Sequence, residues 1–97
     1  MSTDLQIILV EDAIEDAEFV SRTIDQSGFT GDVLHFDNGK AAIEFFSQKE
    51  NYCKKTKLVI LDINMPGLSG KDVLKDLRSN KKIKDLPIVM LSEVLPI

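Results

Sequence analysis

Three acidic or hydroxyl positions in this chain stand directly after short apolar runs. They are Glu11-Asp12, the segment Asp62-Ile63-Asn64-Met65-Pro66-Gly67, and Ser92, which follow residues 7–10, 58–61 and 88–91. If the runs are parallel strands of one open sheet, their carboxyl ends meet in a single crevice, where such folds place ligands and chemistry. Glu11, Asp12 and Asp62 would then share a small volume with the Ser92 hydroxyl. Three carboxylates so close repel one another unless a cation lies between them. A hard, oxygen-preferring ion such as Mg²⁺ fits, because it binds one or two carboxylates and keeps several waters. Asp62 is the best nucleophile, since a carboxylate oxygen can attack phosphorus and form an aspartyl phosphate. Each motif also has a plain reading. Glu11-Asp12 can cap a helix start, Pro66-Gly67 can be a tight turn, and Ser92 can close a strand end.

The elements that must position these groups follow from spacing. Residues 6–10 are a nearly continuous apolar run, as expected of a central strand covered on both faces. Ala13, Ala17, Val20 and Ile24 recur at helical spacing, and Ser27-Gly28 supplies a stop signal. Residues 32–36 read as a more polar strand near an edge. Asp37-Asn38-Gly39 offers caps for a helix through Ala42, Phe45 and Phe46. Residues 48–56 read as a polar surface loop, and residues 58–61 as the most buried strand. After Pro66-Gly67, Ser69 can cap a helix with Val73, Leu74 and Leu77 on one face, and Gly70 would let that helix begin close to the loop backbone. Leu86-Pro87 leads into a fourth strand over residues 88–91. The pattern is β-α-β-α-β-α-β, an α/β arrangement.

Ninety-seven residues suit one domain with a modest core. The composition is 43% hydrophobic and 29% charged, with no apolar stretch long enough for a transmembrane helix or signal peptide. A formal charge of −4 argues against a large nucleic-acid footprint. Lys54-Lys55-Thr56-Lys57 reads as a solvated loop. The single cysteine, Cys53, permits no internal disulfide and suits a reducing, cytoplasmic setting. His35 stands alone on the edge strand with no partner at ligand spacing, and reads as a surface or half-buried histidine.

The acidic pair, Asp62 with the xNMPGxxG segment after it, and the hydroxyl residue ending the fourth run resemble the receiver domain of two-component response regulators. These features span nearly the whole chain in the right order. The resemblance implies a flavodoxin-like, doubly wound parallel sheet of order 2-1-3-4, with the fifth strand and last helix of the family missing. It implies Mg²⁺ held by Asp12, Asp62 and the backbone carbonyl of Asn64, with Glu11 acting through water. Asp62 would be the phosphoacceptor and Ser92 the switch hydroxyl. The partner would be a histidine kinase or phosphotransfer protein, and the chain would be a switch, not an enzyme.

Two features depart from the family pattern. The lysine that ends the family's fifth strand has no counterpart, and Glu93 occupies a position usually held by a small residue. The expected chain is therefore a single receiver domain over residues 1–97, ending early, with a fourth strand left at the sheet edge. A homodimer through residues 86–97 is expected to cover that edge. The alternative of another class is a receiver-like interaction module that works without phosphorylation. An aspartyl-phosphate hydrolase is disfavoured, because Asn64 stands where a second, proton-donating aspartate would be wanted.

Overall fold

The apolar runs pair as parallel strands, and the polar, helically spaced segments cross between them. The structure, a computed structural model, describes residues 5–48, 56–65, 67–80, 83 and 85–91. In chain order the elements are β1 (Gln6–Val10), α1 (Ile14–Gln26), β2 (Asp32–Phe36), α2 (Gly39–Ser47), β3 (Thr56–Asp62), α3 (Gly70–Ser79) and β4 (Ile88–Leu91). The sheet order is β2-β1-β3-β4, and every pairing is parallel. This is the doubly wound α/β arrangement expected from the sequence.

Alternation along each strand divides the core in two. Ile8, Val10, Val59 and Leu61 face α2 and α3, packing with Ala42, Phe46, Val73 and Leu77. Ile7, Leu9 and Ile60 point the other way, onto Ala17 of α1 with Val20 and Ile24 beside it. Four successive residues of β1 are buried, against three in β3, so β1 and not β3 is the most enclosed strand. The cause is position: β1 is flanked by β2 and β3, while β3 adjoins the short β4. β3 also begins earlier than its apolar run. Thr56 pairs with Gln6, whose amide donates to the Thr56 hydroxyl at 3.0 Å, so Thr56 and Lys57 belong to the strand and not to a loop.

The helix ends follow their local chemistry. Asn38 caps α2 by accepting the Ala41 N–H at 2.8 Å. Ser69 and Asp72 form a reciprocal capping box at the start of α3. No side chain caps α1 at Ala13; its far end leads into Gly28 at φ 94°, a conformation open to glycine. Cys53, Lys54, Lys55, Pro66, Ser92 and Glu93 lie outside the described residues.

Candidate functional site

The register of the sheet builds the site. Val10 pairs with Leu61, so the next residues, Glu11 and Asp62, leave adjacent strands side by side, with Asp12 one step further on. Glu11, Asp12 and Asp62 each offer a carboxylate oxygen, and these oxygens all lie within 4.8 Å of one another. Among the described residues this is a group of acids able to surround a cation. Their exposures differ: Glu11 is 4% exposed, Asp62 is half-buried and Asp12 is open to solvent.

Burial and charge act together on Glu11. Removal from water raises its carboxyl pKa most, and the nearby Asp62 raises it further, while the Ala13 N–H donated to Glu11 Oε1 at 3.2 Å opposes them; the outcome is a pKa of about 7. Without a cation, then, Glu11 is half protonated near neutrality. The Ala13 contact shows that Glu11 does serve the helix start, and this is compatible with cation binding. Asp62 is held from its own loop, where the Asn64 N–H donates to Asp62 Oδ1 at 3.2 Å.

That loop fits because of two glycines. Gly67 has φ 77°, a left-handed conformation that glycine adopts readily and other residues seldom do. At Gly70 a Cβ would collide with the backbone of Asp62 and Ile63, and the Gly70 N–H donates to the Ile63 carbonyl at 3.1 Å. The start of α3 therefore rests directly on the phosphoacceptor candidate, as the sequence led one to expect. Met65, to which the sequence reading assigned no packing role, is 8% exposed and anchors that loop in the core.

Of the candidate residues, Glu11, Asp12 and Asp62 converge, Asn64 adjoins them, and Ser92 lies outside the described residues, after Leu91, which pairs with Asp62. One contact has no signal in the sequence. His35 on β2 hydrogen-bonds the backbone carbonyl of Glu11, with 2.6 Å between His35 Nε2 and the oxygen.

A doubly wound parallel sheet with a carboxylate cluster at the carboxyl ends of its two middle strands defines an α/β domain whose ligand crevice is lined by acids able to surround a cation. Comparison with known proteins narrows that class. The family model for the response regulator receiver domain matches residues 7–95. Response regulator Rcp1 of Synechocystis is 31% identical over 88 residues, covering 89% of this chain and 60% of that protein. Chemotaxis protein CheY1 of Helicobacter pylori is 30% identical over 88 residues, covering 91% of this chain and 67% of that one. The Mn²⁺-bound form of Rcp1 superimposes with a TM-score of 0.80 at 29% identity, covering 95% of this chain and 68% of that one. The phosphorylated cyanobacterial phytochrome response regulator RcpA matches with a TM-score of 0.80 at 28% identity, over 95% and 67% of the two chains. This chain belongs to the response regulator receiver domain family. Receiver domains are phosphoacceptor signalling modules of two-component systems. Among the described residues no helix is long and apolar enough to cross a membrane.

Proposed function

We propose that this chain accepts a phosphoryl group on Asp62 from a histidine kinase or phosphotransfer protein, with Mg²⁺ at the acidic cluster. The observation that carries the reading is the convergence of Glu11, Asp12 and Asp62 within 4.8 Å. The donor set suits a hard divalent ion: all oxygen, with Asp12 exposed to solvent, and with a Glu11 whose pKa is raised first by burial and then by Asp62, a repulsion that a cation would relieve. Asp12, Asp62 and the Asn64 carbonyl would hold the ion, with Glu11 acting through water. Bound there, Mg²⁺ would offset charge on the phosphoryl oxygens. The Asp62 carboxylate oxygen forms the new bond to phosphorus as the donor's P–N bond breaks, and the donor nitrogen keeps the electron pair. The Asn64 N–H on Asp62 Oδ1 leaves Oδ2 as the oxygen free of that bond. Ser92 is the switch hydroxyl in this reading, and the setting is cytoplasmic.

Intact-mass analysis after incubation with acetyl phosphate and Mg²⁺ tests the assignment. The expected result is a labile adduct absent from Asp62→Asn, and a Mg²⁺-induced rise in melting temperature absent from Asp12→Ala. Labelling of Asp62→Asn at the level of the unaltered protein overturns the site. Failure of the unaltered protein to be labelled favours an interaction module that works without phosphorylation.

We also propose that the chain self-associates through residues 86–97. Support comes from β4, which among the described residues pairs only with β3, and whose Val89 is 45% exposed. An apolar edge strand of this kind is a template for pairing with a second copy.

A further inference from the structure

We propose that His35 is a positioning residue for the acidic site, holding the peptide between Glu11 and Asp12 in the orientation that directs both carboxylates inward. The inference rests on the cation site proposed above. It starts from a contact 24 residues apart in sequence: His35 Nε2 lies 2.6 Å from the Glu11 carbonyl oxygen. A carbonyl can only accept, so Nε2 carries the hydrogen and the neutral ring is the Nε2–H tautomer. The Glu11 N–H in turn donates to the Phe36 carbonyl at 3.0 Å. Both backbone groups of Glu11 are thus tied to consecutive residues of β2, although β1 ends at Val10. The clamp extends the β1–β2 ladder one residue beyond its last pair, Val10 with Phe36.

The carbonyl that His35 holds belongs to the peptide joining Glu11 to Asp12. Rotation of that peptide plane would swing the two Cα–Cβ directions relative to each other. The next anchor is the Ala13 N–H donated to Glu11 Oε1 at 3.2 Å, since Ala13 has no capping side chain of its own and Asp12 is exposed. His35 therefore adds a constraint from a second strand to a helix start that, unlike those of α2 and α3, has no N-cap side chain of its own. Outer hydrogen bonds that orient ligand-bearing groups commonly change metal affinity about 10–100-fold when removed. Because His35 acts on a ligand's backbone, the lower end of that range is expected.

The His35 ring also forms part of the wall of an open groove of about 610 Å³ between α1 and β2, shared with Ile14, Ser21 and Arg22. The clamp is therefore reachable from solvent, unlike a buried structural histidine.

Mn²⁺ binding measured by calorimetry on the full chain tests the proposal, with His35→Phe and His35→Gln compared to the unaltered protein. His35→Phe removes the N–H and keeps a flat ring suited to a strand; a glutamine amide places a donor near the Nε2 position. The expected result is about tenfold weaker Mn²⁺ binding in His35→Phe, recovery in His35→Gln, and little difference in metal-free melting temperature among the three. Equal Mn²⁺ affinity in His35→Phe and the unaltered protein overturns the positioning role while leaving the cation site standing. Absence of Mn²⁺ binding by the unaltered protein overturns the cation site and this inference with it. Imidazole ¹⁵N chemical shifts of the unaltered protein in alkaline buffer give a readout free of any substitution. The Nε2–H tautomer is expected, and the Nδ1–H tautomer overturns the clamp.

Discussion

Glu11 is a carboxylic acid in a place where a carboxylate is costly. Burial, and then the charge of Asp62, hold its pKa at about 7 against an ordinary 4.5. Below about 4.5 the group is protonated in both folded and unfolded chains, and its favourable contribution is complete. As pH rises from about 4.5 the unfolded chain ionises first, so this stability is lost progressively until the pH passes about 7. At 1.36 kcal/mol per pKa unit the loss is on the order of 3 kcal/mol. Glu11→Gln removes the titration, so the metal-free variant should gain stability over the unaltered protein across this window and match it at acidic pH. Urea melts at a series of pH values check this; parallel curves would contradict it. A divalent cation requires the ionised acid, so its affinity should climb through the same window.

At the scale of elements, the site depends on how closely α3 approaches the end of β3. The packing tolerates only a hydrogen at Gly70, because a Cβ would strike the backbone of Asp62 and Ile63 and not a flexible side chain. Gly70→Ala should therefore cost about 1–3 kcal/mol in spite of alanine's better helix propensity. It should also weaken Mg²⁺-induced stabilisation, since relief of the clash must push the Asp62–Asn64 backbone or the helix aside. Thermal melts with and without Mg²⁺ read both effects. A variant as stable as the unaltered protein would mean that the helix start shifts at no cost. The capping box of Ser69 and Asp72 makes such a shift costly, because it fixes where α3 begins.

At the scale of the molecule, the sheet has unequal sides. α2 and α3 close one face over Phe46, Val73 and Leu77, all nearly inaccessible. On the other, α1 packs on Ile7, Leu9 and Ile60, and Val89 of β4 remains 45% exposed. An exposed apolar residue on a strand edge that is unpaired among the described residues favours association with another edge. Light scattering behind size exclusion at high micromolar concentration should give a mass above the monomer, and Val89→Lys should return it to the monomer by placing a charge on that edge. A monomer in both cases would rule out association through β4.

What the sequence determined by itself is what depends on near neighbours in the chain. The strand runs, the faces of α1, α2 and α3, the caps at Asn38 and Ser69, and the turns at Gly28 and Gly67 rest on spacing of a few residues, and all were legible there. The acidic site was legible too, because Glu11, Asp12 and Asp62 each follow a strand, and parallel strands bring such ends to one edge. Tertiary structure decided whatever required a particular register between distant segments. Thr56 and Lys57 join β3 only because Gln6 is there to pair. Glu11 holds a proton near neutrality only because it is covered while Asp62 stands beside it. His35 clamps the acidic loop only because β2 lies parallel to β1 with His35 opposite Leu9, which brings its ring within reach of the Glu11 carbonyl. A one-residue slip of β2 would turn that ring to the other face of the sheet, and no local spacing in the chain fixes that register.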